Sequence, residues 1–359
     1  MQTGGELYDK GGYGCIFIPS LICKGENETP KHVISKIAMT ADAQEEFAIA
    51  TKIRNLPFWK NFYVVPESMC IPANRDIQKD EGLDSCELLD LGNDTRSSLS
   101  LSAFRILRMK FGGTPLSQHR FNFYRDSFTD FSIHLIAAVA NLTLHGIVHR
   151  DIHQGNILVD DVSIPRLIDF NLSVDVTRKL TPSMLRHGYT IAIYQEPPDS
   201  TLVNAIANGA DNPNAIIELI LKEKKGLSKI QTVLGIDADT MQTEFTEFYS
   251  RSKSMQSGDE VAWFKYFWRV IDSWAVGINL VYLLFNHLLW PSFVKSNDYM
   301  LYKKDFIPVI RDMCQVNPHR RIDCVQALAR VAPDHFLLRT VDAKKWLSLV
   351  ASFSSPHHA

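Results

Sequence analysis

The sequence predicts an α+β protein of two lobes: a small β-rich N-terminal lobe with one main helix, and a larger helical C-terminal lobe. Three observations carry this. Residues 5 to about 40 are rich in glycine and in β-branched or aromatic residues. Gly112-Gly113 follows as a hinge. Beyond it the apolar pattern turns helical and from about 200 stays so almost throughout. The lobes are expected at 1–110, with an insertion at about 73–102, and 111–359, with a helical insertion at about 200–262. A nucleotide-sized ligand is expected in a cleft between them.

Taken in order, Leu7-Tyr8, Cys15-Ile16-Phe17-Ile18 and His32 to Ile37 read as strands joined by turns. Thr40 reads as the N-cap of a helix from Ala41 to Asn55, ended by Pro57. Phe62-Tyr63-Val64-Val65 reads as a strand. The polar stretch Ala73 to Ser102 reads as an exposed insertion, and Phe104 to Met109 returns to strand character. Past the hinge, Phe131 to Leu144 forms a helix with a mostly apolar face. Short strands flank the sequences His149–Asn156 and Asp169-Phe170. The apolar run Trp274–Phe285 is shorter than the roughly 20 residues of a membrane span and reads as a buried core helix.

With 359 residues and 45% hydrophobic content, the chain has enough apolar material for one large core or two modest ones. A formal net charge of −2 provides no general field for nucleic acid or an anionic membrane, and neither is expected as a partner. The six cysteines are scattered without a CxxC, and free thiols in a reducing compartment are expected. The N-terminus has no basic or apolar leader character, so an intracellular, cytoplasmic protein is expected.

The chemistry-bearing residues recur in a fixed order. Gly11-Gly12-Tyr13-Gly14 lies between two strands, where glycines let backbone amides approach phosphate. Val33-Ile34-Ser35-Lys36 puts a lysine on the next strand. Glu46 shares a helical face with Ala43, Ile49, Ala50 and Ile53, and a carboxylate on a packed face needs a cationic partner; Glu45, on the face of Ala41, Ala48 and Lys52, is the alternative. His149-Arg150-Asp151-Ile152-His153-Gln154-Gly155-Asn156 precedes Asp169-Phe170-Asn171, with Asp169 thirteen residues after Asn156. His145, His149 and His153 recur every four residues, but Gly146 and Ile147-Val148 break a continuous helix, so no zinc site is expected. Pro197-Pro198-Asp199, Asp272-Ser273-Trp274-Ala275-Val276-Gly277 and Asn317-Pro318-His319-Arg320-Arg321 complete the series.

From about Leu7 to about Leu338 this order resembles the eukaryotic-type protein kinases: H-R-D-x-x-x-x-N, D-F-x, a V-A-I-K-like strand, an A-P-E-like closing, D-x-W-x-x-G and a late arginine. The glycine run and its spacing to Lys36 are similar to the divergent serine/threonine kinases of nucleocytoplasmic large DNA viruses, which implies a host cell or virion setting. The resemblance implies a protein-kinase-like bilobal fold, ATP and Mg²⁺ as cofactors, and a protein substrate with a Ser or Thr acceptor. It makes Asp151 the base, with His153, Lys36 and Glu46 in the catalytic set. It puts ATP against Gly11, Gly12, Tyr13, Gly14, Ile16, Lys36, Met109 and Phe111, and the metal on Asn156 and Asp169. It gives Arg150, Asp199, Asp272 and Arg321 regulatory or structural roles. Arg150 would pair with a phosphate on Thr177, Thr181, Ser183 or Thr190.

The sequence departs from that pattern in places. Asp9 stands for the first glycine of the loop and His153 for a lysine. Asn171 stands for the glycine of D-F-G, where it is expected to take a left-handed backbone, and Asp199 for a glutamate whose pair with Arg321 would need a small shift. More than seventy residues separate Asp199 from Asp272, far more than in typical kinases, and a partner for this insertion is expected. The alternatives to an active kinase are a pseudokinase scaffold, disfavoured by the presence of Lys36, Glu46, Asp151, Asn156 and Asp169, and a small-molecule phosphotransferase, disfavoured by Asp272-x-Trp274 and Arg321.

Overall fold

In the computed structural model, residues 5–11, 14–29, 32–74, 78, 83, 85–89, 101–186 and 190–353 are described. The protein is α+β, with a β-rich N-terminal sheet and a larger helical C-terminal part. It divides into two compact units, Met1–Gly113 with Ile168–Asn171, and Thr114–Leu167 with Leu172–Ala359. The first boundary thus falls at 113/114, against 110/111 in the sequence reading, and the four residues around Asp169 group with the first unit.

The first unit is an antiparallel sheet of β1 (Glu6–Gly11), β2 (Gly14–Ile18), β3 (Val33–Met39), β4 (Ser68–Cys70) and β5 (Phe104–Lys110), in the order β1-β2-β3-β5-β4. Strand alternation divides its side chains between two faces. Phe104, Ile106 and Ile37 pack with Cys15, Phe17 and Leu21, whereas Leu107, Met109 and Ala38 pack with Ala43 of helix α1 (Thr40–Arg54). Lys36 is two residues from Ala38 and so shares its parity. A short helix α2 (Trp59–Phe62) precedes β4.

Three expectations need correction here. Thr40 is the first helical residue rather than the cap: Met39 stands at the N-cap position, and the Thr40 hydroxyl donates to the Ala103 carbonyl instead. The described part of 73–102 is only partly exposed: Asn74, Ser85, Glu87 and Ser102 face solvent, but Leu83, Cys86 and Leu89 are buried against the sheet, and Gln78 is hydrogen-bonded to the backbone of Ile22. The cysteines are not all free thiols. Cys15 is bonded to Cys86 and Cys23 to Cys70, leaving Cys314 and Cys324 free and buried. The partners are 71 and 47 residues apart, and the packing of the Cys86 and Cys23 segments on strands β2 and β4 brings them together.

The second unit is built on helices. Helix α3 (Phe128–Leu144) starts three residues earlier than expected because the Ser127 hydroxyl caps it at the Asp130 amide. It leads through Gly146 (φ 67°) into β7 (Ile147–Val148). β8 (Ile157–Val159) lies between β6 (Thr114–Pro115) and β9 (Pro165–Leu167), while β7 pairs with β10 (Val174–Asp175). Residues 149–156 are therefore a loop held at both ends by strands.

After helix α4 (Pro182–Leu185) come α5 (Pro198–Ala207), α6 (Pro213–Glu223), α7 (Leu227–Leu234), α8 (Ala238–Arg251) and α9 (Lys253–Gln256), the last four within the stretch read from the sequence as a helical insertion. Helix α10 (Glu260–His287) is long and apolar enough to cross a membrane, but 83% of its most apolar window is buried inside the chain, as befits a central core helix. It packs on α3, α7 and α13 (Ile307–Met313). The helix extends well upstream of the apolar run read from the sequence, so Asp272 lies in its middle, because Trp263, Phe264, Phe267 and Val270 continue the buried stripe. Gly277 permits the close contact with α13; a Cβ there would sit 2.7 Å from Cys314 Sγ. Helices α11 (Pro291–Val294) and α12 (Asn297–Asp305) lie between these two; α14 (Cys324–Val331), packed on α3, and α15 (Val341–Phe353) close the chain.

Candidate active site

In the first unit, three segments distant in sequence meet at one ammonium. Lys36 Nζ is 3.0 Å from Glu46 Oε2 and 2.9 Å from Asp169 Oδ1. The face parity of β3 turns Lys36 toward α1, and the stripe Ala43, Ile49, Ala50, Ile53 turns Glu46 inward, so the two residues are only 5% and 2% exposed. Glu45 is exposed, which selects Glu46 over it. Burial pulls Lys36 down, but Glu46 and Asp169 outweigh it and hold the lysine above its usual value, firmly protonated. Burial pushes Glu46 up against the pull of Lys36. One ammonium shared by two carboxylates leaves Asp169 Oδ2 as an oxygen for a cation.

Asp169 takes the left-handed backbone (φ 61°) that was expected of Asn171, which has no positive φ. Phe170, fully buried edge-on to Tyr63, anchors this turn. Of the glycine-run residues expected to meet phosphate, Gly11 and Gly14 are paired across β1 and β2, while Gly12 and Tyr13 lie outside the described residues. A Cβ on Gly14 would fall 2.7 Å from the Ile37 carbonyl and 3.0 Å from Lys36 Cε, so glycine is required by the close approach to β3. Ile16 faces Lys36 in the strand register. A cavity of about 620 Å³ is lined by Leu7, Tyr8, Ile18, Val33, Ile34 and half-exposed Phe111, among others, an apolar setting for a flat ring. Met109 is buried beside it in register with Ile34 but is not part of the lining.

In the second unit, the 149–156 loop is held from below by α10. The buried Asp272 carboxylate accepts from the amides of His149 (2.6 Å) and Arg150 (2.9 Å), and Asn279 Nδ2 donates to the Ile152 carbonyl (2.8 Å). Burial raises Asp272, with His149 and the two amides opposing. Arg150 sits at φ 68°, a strained backbone that these bonds hold in place. At the loop's tip, Asp151 accepts at Oδ2 from Asn156 Nδ2 (3.1 Å) and at Oδ1 from Gln195 Nε2 (2.8 Å). The Asn156 nitrogen also donates to the Asp151 carbonyl, so a cation at Asn156 would be taken by Oδ1. His153 Nδ1 accepts from the Gly155 amide, which puts the proton of the neutral ring on Nε2, 3.7 Å from Asp151 Oδ2. The three histidines 145, 149 and 153 do not share a helix: His145 caps α3 and the others stand in the loop.

Arg150 donates to the carbonyls of Met184 (2.9 Å) and Leu185 (2.7 Å), at the end of α4. Thr177 donates to Asp175, and Thr181 and Ser183 hydrogen-bond each other. Thr190 is exposed. Asp199 and Arg321 are both fully buried and bonded at 2.7 Å, with the guanidinium over the Trp274 ring; no displacement is needed for the shorter acid to reach.

Sequence reasoning missed Gln195, which follows Tyr194 in a stretch with no recognisable motif, and Asn279, hidden in an apolar run. Tyr194 ties these parts together: its hydroxyl accepts from the Gln154 amide and donates to Asn279 Oδ1.

The first unit thus holds a buried lysine shared between a helix glutamate and an aspartate. Over a segment of 53 residues the chain is 48% identical to the DNA damage-responsive serine/threonine-protein kinase RqkA of Deinococcus radiodurans. That segment is 14% of this chain and 8% of that protein, so the likeness reaches only the level of a kinase-like family. No family profile matches the chain.

Proposed function

We propose that the protein is an ATP- and Mg²⁺-dependent kinase that phosphorylates Ser or Thr hydroxyls of protein substrates. The observation that carries the proposal is the Lys36–Glu46–Asp169 convergence, made by three segments whose only common requirement is a positioned ammonium. Lys36 neutralises the α- and β-phosphates, and Glu46 fixes its direction. The apolar cavity beside β3 takes the adenine. By the kinase resemblance the metal is assigned to Asn156 and Asp169, each of which has a single hard oxygen to offer. That donor set fits Mg²⁺, which keeps water and phosphate ligands rather than an all-protein cage. Bound there, the metal would neutralise charge on the phosphates.

Asp151 is the base. Its carboxylate, held by two amide donors, orients the acceptor hydroxyl and takes its proton as the oxygen bonds to the γ-phosphorus and ADP leaves. His153 Nε2–H is the donor beside it, in the place of the usual lysine. Within this class, the run from Gly11 to Cys23 favours the kinases of large DNA viruses.

The test is incorporation of labelled phosphate from Mg-ATP into a generic protein substrate by wild type and Asp151→Asn. Wild type is expected to transfer phosphate and the variant to lose it by roughly 100-fold or more. Equal incorporation by both would overturn the assignment of Asp151, and none by wild type the enzymatic reading as a whole.

A further inference from the structure

Lysine at 224 is out of keeping with its place. Helix α6, capped by Asn212 at the Ala215 amide, buries Ile217 and Ile220. Lys224, at the C-cap, continues that stripe at the i, i+3, i+7 spacing and is only 3% exposed, whereas Lys222 on the same helix is exposed. A buried ammonium is costly without compensating acids. Lys224 Nζ donates to Thr201 Oγ1 (2.7 Å), and that hydroxyl donates to Glu196 Oε2 (3.2 Å); Ser200 Oγ donates to the other oxygen of Glu196 (2.8 Å). Burial lowers Lys224 to about 8, and the acids that hold it up are Glu196 and Asp199.

Glu196 is itself buried, and its chain neighbour Gln195 is the residue that donates to Asp151 Oδ1. On the other side of Gln195, Tyr194 is pinned by Gln154, Asn279 and the Trp274 indole, which donates to its carbonyl. The segment presenting the Gln195 amide is thus held on both sides, by α10 at Tyr194 and by the Ser200 and Thr201 hydroxyls at Glu196, with Lys224 donating to the second of these hydroxyls.

We propose that Gln195 is a positioning residue that orients the Asp151 carboxylate, and that Lys224, supplied by the insertion, is a second positioning residue that keeps Gln195 in place by neutralising Glu196. The proposal deepens the kinase reading and rests on it. The inserted helices then serve the reaction from inside the fold, by completing the electrostatic support of the base.

The experiment compares wild type, Gln195→Ala, Lys224→Met, their double variant, and Lys224→Met with Glu196→Gln, reading kcat and KM for ATP in the labelled-phosphate assay. Gln195→Ala and Lys224→Met each lower kcat roughly 10- to 100-fold, the scale of a misplaced catalytic group. KM for ATP stays within about twofold, since the proposed ATP contacts do not include these residues. The Gln195/Lys224 double variant loses no more than either single change, because both act through one contact. Removing both charges, in Lys224→Met with Glu196→Gln, restores kcat to within about threefold of wild type.

Multiplying losses, or an unchanged kcat in Lys224→Met, overturns the proposal while the Asp151→Asn result still supports the kinase. Should Lys224→Met fail to fold, Lys224→Gln, which keeps a donor for Thr201 without the charge, is read in the same way. If wild type transfers no phosphate, the kinase reading fails on its own. Hydrogen exchange then decides the remainder: Lys224→Met must speed exchange of the Gln195 and Glu196 amides more than those of distant α14, and uniform exchange would overturn the fastening.

Discussion

Arg321→Met isolates the most deeply buried ion pair in the protein's second unit. Asp199 and Arg321 have no exposed side-chain surface, and Oδ1 meets the guanidinium at 2.7 Å. Among the described residues, Asp199 Oδ2 has no hydrogen-bond partner, so Arg321 is the cation bonded to this carboxylate, with the Lys224 ammonium a further positive charge acting on it. The same guanidinium donates to the Gln315 carbonyl (2.9 Å) and lies 5.3 Å from the Trp274 ring centre. Deleting one member of a buried pair costs about 3–5 kcal/mol, and the lost ring contact adds about 0.5–2 kcal/mol. Burial already pushes the Asp199 carboxyl up, so protonation in the variant keeps the total near the lower end, about 4 kcal/mol. For a unit of this size 1 kcal/mol is about 2–4 °C, so scanning calorimetry should show its midpoint falling by roughly 8–16 °C. Arg321→Met with Asp199→Asn removes both charges and should recover at least half of that loss. A fall of less than about 3 °C in the single variant, or no recovery in the double, would refute the reasoning.

Three further outcomes follow from the geometry. Glu46→Gln should abolish most phosphate transfer and destabilise the first unit, whereas Glu45→Gln, at an exposed site, should match wild type in both assays; equal effects would reverse the choice between them. Reducing Cys15–Cys86 and Cys23–Cys70 should lower the first unit's stability by about 2–4 kcal/mol per bridge, read by thermal melting with and without dithiothreitol; an unchanged melt would mean the bridges do not form in solution. Arg150 already donates to two carbonyls, so replacing Thr177, Thr181, Ser183 and Thr190 together by alanine should leave kcat within about threefold, less than the roughly tenfold of a lost 1.4 kcal/mol contact; a larger loss would show that a phosphate displaces those carbonyls.

What could be read in advance was whatever repeats locally. Glu46 stood out because four apolar residues at helical spacing marked its face as packed, and a carboxylate there demands a cation. The loop from His149 to Asn156 was legible because several functions crowd into eight residues. Long-range pairings had no such signal. Cys15 and Cys86 meet through the packing of one segment on a sheet, and nothing in their spacing says so. The turn at Asp169 was misassigned by two residues, since preference for a left-handed backbone favours Asn over Asp only slightly, while the bond from Lys36 and the burial of Phe170 decide which residue bends.

Gln195 and Lys224 show a more general reason for silence. A group that meets phosphate or metal must have particular donors at particular separations, and that requirement leaves a motif. A group that holds another side chain needs only one donor at hydrogen-bond distance, which many residue types supply from many positions. Lys224 was the more detectable of the two. A lysine on the apolar stripe of Ile217 and Ile220 conflicts with its surroundings unless an acid awaits it. Such conflicts between residue type and predicted face are where a sequence signals a buried partner. They do not say which one, because the partner is chosen by the packing of α6 on α5.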